Sequence, residues 1–374
     1  MKKKLIKNKL ILFMPSLEGG GVEKNFFLLS NFFIKKLDNV AVITISKKYK
    51  YKFNKKISFI SPKYFFWDNF GRVIKYIISL YLLFIEYFKN KNLVVFCFQG
   101  NVLCIIFCKI FNIRIIIRPN SSPSGWSQNL LKEFIFSHTL KWADRIIVNS
   151  IKFRNELKKK LNVNSDCIYN PLNYSQIKKL SKKKIKDPFS KKSSLKIINV
   201  GRLVDQKDQI TILKAINYIK HRIETTLLII GEGDKKNKLT EYIKINNLEK
   251  IVKIIDHKKN PFPYMKSAEV FILSSLFEGL PNVLLEAITL DCFVISTNCP
   301  TGPSEILDKN KGGLLFKTSD YKDLSNKILN YLANKKKYQK KLKFAHKRLF
   351  RFDYNLNLNR YLDVVNDLTK FKNL

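Results

Sequence analysis

Val270-Phe271-Ile272-Leu273-Ser274-Ser275-Leu276-Phe277-Glu278-Gly279-Leu280-Pro281-Asn282-Val283-Leu284-Leu285-Glu286-Ala287 sets a strand, a turn and the start of a helix end to end. The first four residues are β-prone and apolar, and two serines close the run. That is how a strand buried on both faces of a parallel sheet reads. Gly279 permits an unusual backbone. Pro281 is well placed near a helix start, and residues from Val283 onward carry a helical pattern. The free N–H groups of that first turn would form an anion site. Glu278 precedes the helix and Glu286 lies inside it. Two carboxylates at this spacing can bracket one ligand and accept hydrogen bonds from sugar hydroxyls. On these residues alone, ordinary surface or capping acids are an equally good reading.

The same alternation of short apolar runs and amphipathic stretches extends outward in both directions. Upstream runs fall at residues 10–14, 40–45, 93–98, 113–117 and 145–148. A second series falls at 195–200, 226–230, 251–254, 270–273 and 293–296. Between them lie helical patterns such as Ile210, Leu213, Ile216 and Ile219, which argues for α/β layers. Residues 175–194 are polar, Lys-rich and contain Pro188, with little to bury, and read as an interdomain linker. Two doubly wound domains of similar size follow, with the cleft between them as the default site. The boundaries are set at 1–180 for the first domain and 181–350 for the second. Residues 351–374 hold a weak helical pattern (Leu358, Tyr361, Leu362, Val365, Leu368), expected to pack back on the first domain.

Composition bounds the rest. The chain has 374 residues, 45% of them apolar, which is material for real cores and for two or three domains at roughly 150 residues each. The net charge of +41 favours an anionic partner. The joint abundance of Lys, Asn, Ile and Phe, all with AT-rich codons, explains much of the charge equally well. No aromatic-basic stacking motif or recognition-helix pattern is present, so nucleic acid is not expected as a partner. Cys97, Cys104, Cys108, Cys167, Cys292 and Cys299 form no C-x-x-C pair and have no His at ligand spacing. They read as buried free thiols in a reducing compartment. The basic start is followed by an apolar run, residues 10–15, too short for a signal-peptide core. The longest apolar stretch, 73–88, is broken by Lys75 and Glu86 and falls short of the ~20 residues that span a bilayer. A cytoplasmic protein lying on a membrane is therefore expected. Lys47, Lys48, Tyr49, Lys50, Tyr51, Lys52 and Phe53, then Tyr64, Phe65, Phe66 and Trp67, mix charge with aromatic rings as an anionic membrane surface requires. Core aromatics beside a solvated Lys run would look the same.

Glu278 and Glu286, seven residues between them, flank Gly-Leu-Pro-Asn after a strand ending in Ser-Ser. The pattern resembles the donor-site signature of glycosyltransferase family 4. The likeness continues upstream through residues 260–270 and downstream through 296–306, and reaches the first domain more loosely. It implies the GT-B fold, an α/β architecture of two Rossmann-like doubly wound domains facing each other across a cleft. It also implies a retaining transfer of sugar from a nucleotide-sugar donor, a UDP-sugar first, to a lipid-linked saccharide in surface polysaccharide synthesis. A nucleotide-sugar 2-epimerase of the same general fold is the alternative.

The resemblance assigns residues. Glu278, Gly279, Leu280, Pro281, Asn282 and Glu286 would line the donor, Glu278 beside the transferred sugar and Glu286 on the ribose. Asn199-Val200-Gly201-Arg202-Leu203 to Lys207 follows a strand, and Arg202 and Lys207 match the family's diphosphate-binding cations. Glu278, Arg202 and Lys207 are thus the catalytic candidates. Gly231 and Gly233, in Ile230-Gly231-Glu232-Gly233-Asp234, would lie near the nucleotide base; a purely structural turn is an equal reading. In the first domain Glu18-Gly19-Gly20-Gly21-Val22-Glu23 offers a Gly-rich loop to an acceptor or phosphate. Arg118-Pro119-Asn120-Ser121 has Asn120 where many family members have His, which suits a hydrogen-bonding role. His138, His221, His257 and His346 lie in no motif. The chain has no Asp-x-Asp, so no metal or other cofactor is expected, with Arg202, Lys207 and the helix start taking the metal's place.

Overall fold

The computed structural model describes residues 8–17, 21–120, 130–189 and 194–370. Its contacts divide the chain into two units, one of Met1–Pro171 with Asn355–Leu374 and one of Leu172–Tyr354.

In the first unit the strands are β1 (Lys9–Phe13), β2 (Val40–Ile43), β3 (Ser58–Ile60), β4 (Leu93–Cys97), β5 (Arg114–Ile117), β6 (Arg145–Val148) and β7 (Asp166–Cys167). They form one parallel sheet in the order β3-β2-β1-β4-β5-β6-β7. The helices are α1 (Gly21–Phe33), α2 (Arg72–Lys89), α3 (Asn101–Ile110), α4 (Leu130–Leu140) and α5 (Ile151–Leu161). Every residue of β2 and β4 is buried, which is why these runs are continuously apolar. On one face Leu83, Cys104, Ile105, Leu140, Phe153 and Leu157 of the helices close over the sheet. Ser150 caps α5 by accepting from Phe153 N at 3.2 Å, and Asn162 ends it with φ +52°.

The second unit repeats the plan. After α6 (Tyr174–Ser181) come β8 (Leu195–Val200), α7 (Gln209–Ile219), β9 (Thr225–Ile230), α8 (Lys236–Ile245) and β10 (Val252–Ile255). Then follow α9 (Phe262–Lys266), β11 (Val270–Leu273), α10 (Asn282–Thr289), β12 (Phe293–Thr297), α11 (Pro303–Ile306), β13 (Leu314–Phe316), α12 (Tyr321–Ala333) and α13 (Lys335–Arg348). The parallel sheet runs β10-β9-β8-β11-β12-β13. In both sheets the first strand's neighbours are the second and the fourth, so the winding reverses beside it. That is the doubly wound Rossmann-like arrangement, with its ligand crevice at the carboxyl ends of the two strands flanking the reversal.

Two differences from the sequence reading stand out. Residues 175–194 are not a bare linker, because α6 occupies their start with Ile177 and Ser181 buried. Asn173 caps it, accepting from Gln176 N at 3.0 Å, and Asn260 Nδ2 donates to Leu180 O at 2.9 Å. The contact division falls at Pro171, nine residues before the change of domain set from composition. The final helix, α14 (Tyr354–Lys370), groups with the first unit from Asn355 on. There Arg118 is buried, with Nε donating to Tyr361 Oη at 3.2 Å and Nη2 to Asn170 Oδ1 at 2.6 Å. All six cysteines are free, and five are buried.

Candidate active site

In the second unit the winding reverses between β8 and β11, where Ile197 pairs with Val270. The chain leaves β8 through Gly201 and Arg202, and leaves β11 through Ser274 to Glu278. Both candidate segments therefore emerge side by side at the place where doubly wound sheets hold ligands.

Four hydrogen bonds stitch them together. Ser274 Oγ donates to Lys207 O at 2.7 Å, and Leu276 N donates to Gln206 O at 2.9 Å. Gln206 Nε2 donates to Phe277 O at 2.9 Å, and Lys207 Nζ donates to Glu278 Oε1 at 2.5 Å. Ser275 Oγ donates to the same Oε1 at 2.6 Å. Among the described residues no partner meets Oε2 of Glu278, whose side chain is only 9% exposed. That oxygen is not fully buried, so it is open to a hydroxyl or a positive charge from a ligand. The Arg202 carbonyl accepts from Gln209 Nε2 at 2.9 Å, while its side chain is exposed. Glu286 is buried on α10, so the helix fixes where its carboxyl sits.

A third segment braces Glu278. Thr301 Oγ1 donates to Glu278 O, and Gly302 takes φ +88°. A Cβ on Gly302 would stand 2.2 Å from Gly279 O and 2.6 Å from the Pro281 ring, so only glycine fits. Cys299 lies beneath this loop. Burial first, and then the negative charge of Glu278, push its thiol up to about 12. Sequence reasoning assigned no part to Ser275, Thr301 or Gly302. Ser275, three residues before Glu278, was the one visible signal.

Gly231 and Gly233 have a packing explanation. A Cβ on Gly231 would lie 1.9 Å from Gly201 O, and one on Gly233 would lie 2.1 Å from Leu203 O. Leu203 N donates to Glu232 O at 2.8 Å, and Lys235 N donates to Leu203 O at 3.0 Å. The two glycines thus let the turn after β9 close on the loop that carries Arg202.

In the first unit Asn120 Nδ2 donates to Phe98 O at 2.9 Å, tying the ends of β5 and β4. Gly21 opens α1 with empty space where a Cβ would be. Gly19 and Gly20 lie outside the described residues. Of the proposed membrane stretch, Phe53 is buried against Phe26 and Phe27, whereas Tyr51, Tyr64 and Phe66 are exposed.

Two doubly wound parallel sheets, one with an acid–base cluster at its switch point, define the GT-B class of α/β proteins. The family model of the group 1 glycosyl transferases matches residues 181–348. An uncharacterized glycosyltransferase of Methanocaldococcus jannaschii is 33% identical over 217 residues, covering 54% of this chain and 53% of that one. A Campylobacter jejuni N-acetylgalactosamine-N,N'-diacetylbacillosaminyl-diphospho-undecaprenol 4-alpha-N-acetylgalactosaminyltransferase is 28% identical over 243 residues, 62% of this chain and 64% of that one. These alignments span about half to two thirds of the relatives' length. The crystal structure of Anabaena Alr3699/HepE in complex with UDP superposes with a TM-score of 0.77 at 16% identity, over 96% of this chain and all of that one.

Proposed function

We propose that the protein transfers a sugar from a UDP-sugar to a lipid-linked saccharide in surface polysaccharide synthesis. The transfer retains anomeric configuration and needs no metal. The observation that carries this reading is the cluster at the β8–β11 switch point. Lys207 is paired with Glu278 there, Glu278 leaves Oε2 open, and the exposed Arg202 side chain leaves the neighbouring end of β8. A departing diphosphate gains negative charge while the sugar ring gains positive charge. Fixed groups of opposite sign stabilise both at once. The UDP complex of the superposed Anabaena protein supports the donor, and the diphospho-undecaprenol named for the Campylobacter relative supports the acceptor. A lipid-linked acceptor places the work at a membrane surface, on the cytoplasmic side where nucleotide sugars are made.

Thermal unfolding with a panel of nucleotide sugars tests the donor. A ligand at 100 times its Kd adds about 2.7 kcal/mol to the native state. A UDP-sugar should raise the melting temperature, and the same sugar should then pass to a lipid-diphosphate saccharide in EDTA. Protection by no nucleotide sugar, or transfer restored only by Mg²⁺ or Mn²⁺, overturns the corresponding part.

A further inference from the structure

Helix α2 packs Leu80, Leu82, Leu83 and Tyr87 against the core and carries a second apolar stripe that faces outward. Its buried positions are Ser79, Leu83 and Glu86, and Glu86 is held by Lys9 at 2.7 Å and Lys89 at 2.8 Å. Lys75, too, turns inward to Asp68 at 3.0 Å. The opposite face shows Val73 (64% exposed), Ile77 (58%), Tyr81 (63%) and Phe88 (60%), with Ile74 beside them. At 3.6 residues per turn these five fall within about 100° of arc, a full amphipathic stripe pointing away from the core. An aromatic cluster continues the surface. Phe84 meets Phe88 and Phe111 with ring centroids 4.7 and 5.4 Å away, and Ile110 beside Phe111 is exposed. An exposed apolar surface of this extent marks an interaction site.

Its charge says what the partner is. Residues 70–114 hold Arg72, Lys75, Lys89, Lys91, Lys109 and Arg114 against one acid, Glu86, which faces inward. Lys91 Nζ sits 3.7 and 4.1 Å from the Tyr87 and Phe88 ring centroids, at the rim of the stripe. A wide apolar stripe rimmed by cations, with one partly exposed acid, Asp68, held by Lys75, complements an anionic bilayer. No helix among the described residues is long and apolar enough to cross a membrane, so the helix would lie in the interface plane.

We infer that the outward face of α2 with the Phe111 edge of α3 is a lipid-binding surface, the helix lying flat in an anionic leaflet with Ile77, Tyr81 and Phe88 among the acyl chains. This rests on the lipid-linked acceptor proposed above and assigns a surface that the 47–53 and 64–67 stretches do not include.

The test uses the full chain and three proteins: wild type, Ile77→Ser/Tyr81→Ser/Phe88→Ser, and Lys89→Gln/Lys91→Gln/Lys109→Gln. All three substituted apolar residues are exposed, and protection by UDP confirms that each variant is folded. Sedimentation with phosphatidylglycerol vesicles should carry down the wild type and weaken with salt. The serine variant, with unchanged net charge, should bind about tenfold more weakly or worse, and the glutamine variant should lose the salt dependence. Wild-type binding by the serine variant overturns the inference. So does a wild-type dimer that the serine variant disperses, because the face would then cover a second copy. Vesicle binding without sugar transfer would sink the proposed acceptor and leave this surface standing, and transfer without vesicle binding would do the reverse.

Discussion

Lys207 Nζ lies 2.5 Å from Glu278 Oε1, across 71 residues of chain. The cation suits the leaving diphosphate and the carboxylate suits the sugar, yet in the structure they are one ion pair. In the proposed reaction, negative charge would grow where Lys207 can reach it and positive charge would grow beside Glu278. Each member of the pair then meets a new opposite charge without the site having to reorganise.

A double-mutant cycle measures this coupling. Lys207→Ala and Glu278→Gln should each lower kcat by about 10²-fold, the order seen when one charge-stabilising group is removed. Because each substitution also leaves the other residue without its partner, the double variant should cost less than the two added. A coupling of about 1–3 kcal/mol in kcat/KM is expected. Additivity to within about 0.5 kcal/mol would mean that the pair does not act as a unit.

Gly302 should be intolerant for a reason unrelated to chemistry. Its Cβ would strike Gly279 O and the Pro281 ring, and φ +88° is strained for any L side chain. Gly302→Ala is expected to lower stability by about 1–3 kcal/mol and to weaken UDP protection by moving residues 278–281. A variant with wild-type melting and wild-type protection would show that this brace is dispensable.

The interior strands were legible because burial on both faces leaves a continuous apolar run, as in β1, β4, β8, β9 and β11. β3, β7 and β13 were not, being only two or three residues long. All three are edge strands, which pair on one side and need little length. α6 escaped notice because Ile177 is the only large apolar side chain it buries in a Lys-rich stretch. Glu278, Lys207 and Arg202 were legible through resemblance to a family. The meeting of Lys207 with Glu278 was not, because it depends on β8 lying next to β11, and strand order is not written locally. The outward stripe of α2 was hidden likewise, since Glu86, which would mark a solvent face, turns inward to Lys9 of the first strand.

That buried pair should show in acid. Burial by itself raises the Glu86 carboxyl, but hydrogen bonds from Lys89 and Lys9 outweigh it and hold the group below its ordinary 4.5. A depressed folded-state value means stability present above the unfolded value and lost as pH falls through the folded one. Glu86→Gln should therefore be less stable than wild type near neutral pH, by about 1.5–3 kcal/mol for charged hydrogen bonds. The gap should close as pH falls below the ordinary 4.5 and through the lowered folded-state value. Denaturant unfolding from about pH 7 to about pH 3 checks it, and parallel curves would show that the pair adds nothing net.

The two glutamates of the donor segment should fail differently. Glu286 is buried within α10, rigidly placed, and the family resemblance puts its counterpart on the ribose. The ribose does not change during the reaction, so this contact is alike in ground and transition states. Uniform binding of that kind moves KM more than kcat. Glu278 sits in the loop before α10, held on Oε1 by Lys207 and Ser275 with Oε2 open. In the proposed reaction its value would grow as the ring gains oxocarbenium character, so its loss should appear in kcat. Gln keeps the shape and some of the hydrogen bonding of Glu, and isolates the charge. Steady-state kinetics at saturating acceptor should then give Glu286→Gln a raised donor KM with kcat near normal, and Glu278→Gln the opposite pattern. Ser275→Ala sharpens the comparison, because it removes one brace from Oε1 and leaves the charge. It should lower kcat less than Glu278→Gln does, with the donor KM little changed. If Glu278→Gln altered KM alone, Oε2 would be binding the donor and not the developing charge.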